Sequence, residues 1–171
     1  MDVQHAKLIA AMTDYDKGDA MRIQHFMKVH DYAVTIATLE VVGENLMSIL
    51  ESAAILHDIG IHVSEEKYGS SNGKYQEKEG PAEACKLLSS LGGYSKEQID
   101  RICYLIAHHH TYNDIDGLDY QILVESDFLV NIYEDHLIPQ AIENIREKIF
   151  RTKSGLYLLD NMYDVAVLND K

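Results

Sequence analysis

Apolar side chains recur every three or four residues through most of this chain, the period of helices that bury one face. Sustained alternation of apolar and polar residues, the mark of half-buried strands, is not part of the pattern. Only Pro81 and Pro139 interrupt it in 171 residues. The spacing predicts helices at about 2–14, 19–42, 46–59, 80–91, 95–110, 117–134, 136–150 and 153–163. The polar, Gly/Ser-rich segment "EKYGSSNGKYQEKEGP" (66–81) predicts the one long loop. No internal repeat or linker divides the chain. The expectation is an all-α fold, a compact bundle of seven or eight helices forming a single domain over 1–171.

Charge narrows the partners. Acidic residues outnumber basic ones, 28 against 15, for a formal charge of −13. Such a field repels nucleic acid polymers and anionic membranes, but a bound cation can reverse it locally and admit a small phosphorylated ligand. Cys85 and Cys103 form no CxxC pair and read as buried thiols of a reducing compartment. The segment "MDVQHAKLIAAM" lacks the basic and apolar regions of a secretion signal, and no apolar run approaches the roughly 20 residues that span a bilayer. A cytoplasmic protein, monomer or homodimer, is expected.

Nine histidines are the unusual number, and helical phase sorts them. On the second helix Val29, Tyr32, Ile36 and Leu39 form a stripe centred on His25, whereas His30 points roughly 140° away and reads as a surface residue. On the third, Leu46, Ile49, Leu50 and Ala53 define an inward face that His57 continues. Asp58 lies about 100° round from His57, but at a helix end, with Gly60 as terminator, both can lean toward one ion. In the triplet at 108–110, His110 falls near the middle of the stripe made by Ile99, Ile102, Cys103 and Ile106, His109 at its edge, and His108 opposite. Asp127 sits among Leu123, Val124 and Val130, where an ionised carboxylate is costly unless paired or bound to a cation. Glu125 and Glu134 have no comparable claim by phase. His5, His62 and His136 read as solvated.

Four helices thus offer inward imidazoles and carboxylates without thiolates. That set suits a divalent ion such as Mn, Fe, Co, Ni, Zn or Mg, with coordination positions left for water or substrate.

The order His25, His57-Asp58, Asp127 resembles the H…HD…D signature of the HD-domain metal-dependent phosphohydrolase superfamily. The contexts "RIQHFMKVHDYAVTIA" (22–37), "AAILHDIG" (53–60), "LIAHHHTYNDIDG" (105–117) and "VESDFLV" (124–130) resemble it too. The motif-bearing core covers about 20–134, with further helices at 136–163. The resemblance implies that His25, His57, Asp58 and Asp127 hold one metal ion, with Asp58 also positioning or deprotonating water. It implies that His109 or His110 neutralises phosphoryl charge or holds a second ion. Where two-metal members carry another histidine, this chain reads "YQEKEGPAEA", with Gln76 near that place and Glu79 offering a carboxylate instead. Ile61 stands where many members have lysine, so Lys67 or Lys74 would supply charge from the loop, with Gln76 beside the substrate. Tyr68 and Tyr75 could stack on a base or simply anchor the loop, and "KIFRTKSG" (148–155) reads as a charged helix end.

The activity implied is hydrolysis of a phosphate ester, of a nucleotide or another small phosphorylated metabolite, with one divalent ion or two. The alternative is a regulatory module that binds metal and phospholigand without turnover. Oxidative cleavage at a di-iron site would require more ligands than can be placed.

Overall fold

A computed structural model describes residues 2–164. Among the described residues the regular elements are helices: α1 (Val3–Tyr15), α2 (Ala20–Leu39), α3 (Glu44–Leu56), α4 (Ile61–Tyr68), α5 (Gly73–Leu91), α6 (Lys96–Ile106), α7 (Leu118–Glu134), α8 (Pro139–Lys148) and α9 (Lys153–Tyr163). The all-α expectation stands, with one more helix than the sequence pattern lists.

Local chemistry sets many of the boundaries. Asp2, Asp19, Asn72, Ser95 and Thr152 each accept a hydrogen bond from a backbone N–H of the first turn they precede. Ser95 and Gln98 form a reciprocal capping box, and Pro139 occupies the start of α8, where no donor is needed.

α3 is the central element. Every residue from 49 to 56 is buried, Glu51 and Ser52 included, because α2, α6, α7 and α1 all pack around it. The segment Glu44–Tyr68 is long and apolar enough, by length and composition, to cross a bilayer, contrary to the expectation from the sequence. Its apolar window is 67% buried within the fold, the behaviour of a core helix.

Four further expectations are corrected. The loop at 66–81 is only four residues long, 69–72. Gly69, in the left-handed region at φ 64°, closes α4, and Asn72 opens α5. The polar composition belongs to the exposed faces of two short-linked helices. His30 is buried at 5% exposure because α2 packs on both α3 and α7, so its buried arc is wider than one stripe; its Nε2 lies 3.1 Å from Glu51 Oε2. His5 is buried at the α1–α3 contact with Nε2 3.2 Å from the Ser48 carbonyl. Cys85 is exposed and Cys103 half-buried, and both are free thiols.

Candidate metal centre

Four separate parts of the chain meet beside α3. His25 lies inside α2, His57 caps the end of α3 with Asp58 next in the turn, His109 lies in the turn after α6, and Asp127 lies in mid-α7. His25 Nε2 is 3.1 Å from His57 Nε2 and 3.2 Å from Asp127 Oδ1. Asp58 Oδ2 is 3.5 Å from both of those imidazole nitrogens, and its Oδ1 is 3.5 Å from His109 Nε2. Asp58 therefore turns one oxygen to His25 and His57 and the other to His109.

The opposite edge of each ring decides what the converging atoms are. His57 Nδ1 lies 2.8 Å from the Ala54 carbonyl, His109 Nδ1 2.8 Å from that of Ile106, and His25 Nδ1 2.8 Å from Glu134 Oε2. Carbonyl and carboxylate oxygens only accept, so each Nδ1 carries the hydrogen and each neutral ring turns an Nε2 lone pair inward. Lone pairs thus face lone pairs and carboxylate oxygens. Asp127 Oδ1 and His109 Nε2 are buried without a hydrogen-bond partner. Such a constellation is unfavourable unless a positive charge lies among its members.

Where no cation is bound, a proton can supply that positive charge. Burial pushes His57 down, but the charges of Asp58 and Asp127 outweigh it and lift His57 to about 9. Burial likewise opposes ionisation of Asp127, yet the adjoining His25 and His57 hold it well below the usual carboxylate range. His110 goes the other way: burial and the neighbouring His109 lower it to about 4.

The donor set fits a divalent ion. His25, His57 and Asp58 present ligand atoms within 4.8 Å of one another, as do Asp58, His109 and His110. Nitrogen and oxygen donors without sulfur suit a borderline or hard cation.

A cavity of about 570 Å³ opens over this cluster. Arg22, His25, Ile61, Asp58, Ser71, Gln76, His110, Asp127, Asn131 and Glu134 are part of its wall. The start of α4 is held tightly against α5, since a Cβ on Gly60 would lie 2.7 Å from the Gln76 carbonyl and 2.8 Å from the Gly80 nitrogen. That backbone contact places Gln76, buried, beside His110, with Oε1 3.4 Å from His110 Nε2 and Nε2 donating to the Ser71 carbonyl at 2.7 Å.

The other loop residues stand apart from the cavity. Lys67 and Tyr68, at the end of α4, donate to Glu79 at 2.5 and 2.7 Å, so the three satisfy one another. Lys74 is exposed in the first turn of α5. Glu79, Lys67 and Lys74 are not in the cavity wall, because α4 and α5 fold this segment against itself rather than over the site. Tyr68 and Tyr75 stack on each other at 4.2 Å between ring centroids.

Three contributors escaped the sequence reading. Glu134, set aside by phase, holds His25 Nδ1; it follows Asp127 by two helical turns, and that spacing could have found it. Arg22 precedes His25 by one turn and reaches the cavity, with Nη1 2.8 Å from His62 Nδ1 and Nη2 donating to Glu65 at 2.7 Å. Glu77 accepts from the His110 N–H at 3.1 Å and from the Thr111 hydroxyl at 2.9 Å, fixing the histidine turn. No local pattern announces that long-range contact.

The HD domain family model matches residues 22–151. The crystal structure of a predicted HD superfamily hydrolase from an uncultured Thermotogales bacterium has a TM-score of 0.67 and 22% identity, covering 96% of this chain and 88% of that one. At that identity the likeness shows a common fold. Among curated proteins no sequence matches.

Proposed function

The chain belongs to the HD-domain family, and we propose that it is a metal-dependent hydrolase of phosphate esters, acting on a nucleotide or another small phosphorylated metabolite. One observation carries the reading: the Nε2 atoms of His25 and His57 converge with carboxylate oxygens of Asp58 and Asp127 at the floor of a cavity about 570 Å³ in volume. His25, His57, Asp58 and Asp127 would hold a divalent ion, which when bound supplies Lewis acidity toward a phosphoryl oxygen and raises the acidity of water.

The remaining steps belong to the side chains. Asp58, with Oδ1 turned toward His109, orients an attacking water and takes its proton. His109 Nε2, 3.5 Å from that oxygen, steadies the proton on Asp58 until it passes to the leaving oxygen. Arg22 is the one lysine or arginine in the cavity wall among the described residues. Its five N–H donors include one to His62, one to Glu65 and one facing Asp19 at 3.3 Å, which leaves one on each terminal nitrogen for an anionic oxygen. Gln76 stands beside His110 on the substrate side.

The test is phosphate release from a panel of nucleotides and sugar phosphates in the presence of Mn, Fe, Co, Ni, Zn or Mg. Asp58→Ala should lower turnover by at least about 100-fold with helical content unchanged. Metal-loaded protein that releases no phosphate from any substrate would instead favour a regulatory module that binds without turnover.

A further inference from the structure

α7 reaches His25 twice. Asp127 Oδ1 lies 3.2 Å from its Nε2, and Glu134 Oε2 lies 2.8 Å from its Nδ1. The two acids are seven residues apart, two turns along one face of the helix, so each faces one nitrogen of the imidazole. The other oxygen of Glu134 accepts from Lys28, one turn beyond His25 on α2.

His25 needs this second contact where the other histidines do not. His57 and His109 sit at helix ends, where the carbonyls of Ala54 and Ile106 are free to accept from Nδ1. His25 lies inside α2, where the nearby carbonyls are engaged in the helix. Its tautomer and ring orientation therefore have to be set by a side chain, and Glu134 is the one in contact with Nδ1.

We propose that Glu134, itself anchored by Lys28, is the positioning residue that keeps the hydrogen of His25 on Nδ1 and its Nε2 lone pair aimed at the metal centre. The role rests on the reading of His25 as a metal ligand. Groups that orient ligating histidines in this way are worth about 10–100-fold in metal affinity.

Two measurements on the full chain separate this role from mere packing. The first is ¹⁵N NMR of the His25 ring in metal-free protein, at a pH high enough to leave the imidazoles neutral. The second is calorimetric titration with Zn and Mn salts. Wild type should show His25 with hydrogen on Nδ1. Glu134→Ala should shift it toward hydrogen on Nε2 and weaken metal binding about 10–100-fold. Glu134→Gln, whose amide oxygen still accepts, should restore the wild-type tautomer and most of the affinity. An unchanged tautomer in Glu134→Ala, or an affinity within about twofold of wild type, would overturn the proposal. Wild-type protein that binds neither ion would instead remove the metal reading on which it rests, a result that the tautomer measurement does not imitate.

Discussion

The Nε2 atoms of His25 and His57 stand 3.1 Å apart, each on a ring whose Nδ1 already donates elsewhere. Neutral, the two rings have nothing to exchange across that gap; a proton or a cation must lie between them or beside them. Together with Asp127 Oδ1, buried and without a hydrogen-bond partner, that makes the cluster a place where binding adds stability.

A divalent ion should accordingly raise the melting temperature. At about one hundred times its Kd, a ligand of the native state adds about 2.7 kcal/mol. Calorimetric scans with and without a chelator should show that gain in wild type. They should show it lost in Asp127→Asn, and equal melting temperatures for wild type in both conditions would contradict the account.

Gly60→Ala tests the joint that places Gln76 and His110. The added Cβ would press on the backbone of α5 at Gln76 and Gly80, which cannot yield as a flexible side chain does. Overpacking of this kind costs about 1–3 kcal/mol. Urea unfolding should show a lower midpoint with an unchanged slope.

How much of this was legible in the sequence depends on how many neighbours each helix has. Phase placed His25, His57 and Asp127 inward correctly as geometry, because each continues an apolar stripe into the core. The same reasoning failed for His30 and His5, since α2 packs on two helices and α1 covers α3, so polar residues off the main stripe are buried as well. It also hid α4 and the first turns of α5, whose exposed faces are polar enough to pass for a loop. Glu77 and Glu134 act through partners 33 and 109 residues away, and only the folded chain brings them there.

The misplaced pair supplies its own test. Burial pushes the Glu51 carboxyl up, but the hydrogen bond with His30 and the nearby His5 and His30 hold it below its ordinary 4.5. A carboxyl depressed in the folded state contributes stability that is complete above its unfolded value and is lost as pH falls through its folded one. Wild-type stability should therefore drop below about pH 4.5 more steeply than that of Glu51→Gln. Urea titrations between pH 3 and 7 check the difference, and parallel profiles would refute it.

Glu125 shows what a buried acid looks like when it is structural. It is fully buried, and its oxygens accept from the backbone of Arg151 and Thr152, from Gln121 and from the Thr152 hydroxyl, tying α7 to the start of α9. Glu125→Leu should destabilise the protein by about 2–3 kcal/mol by leaving those donors unpaired. Metal affinity should not change, and a loss of affinity at unchanged fold would contradict the division drawn between this acid and Asp127.

His25, His57, Asp58 and Asp127 are the residues proposed to hold a divalent ion. Elemental analysis of the purified protein after equilibration with Mn, Fe, Co, Ni, Zn or Mg and removal of free ion tests that proposal most directly. At least one tightly held divalent ion per chain is expected, lost in His57→Ala and in Asp127→Asn with helical circular dichroism preserved. Folded wild-type protein that retains none of these ions would contradict it.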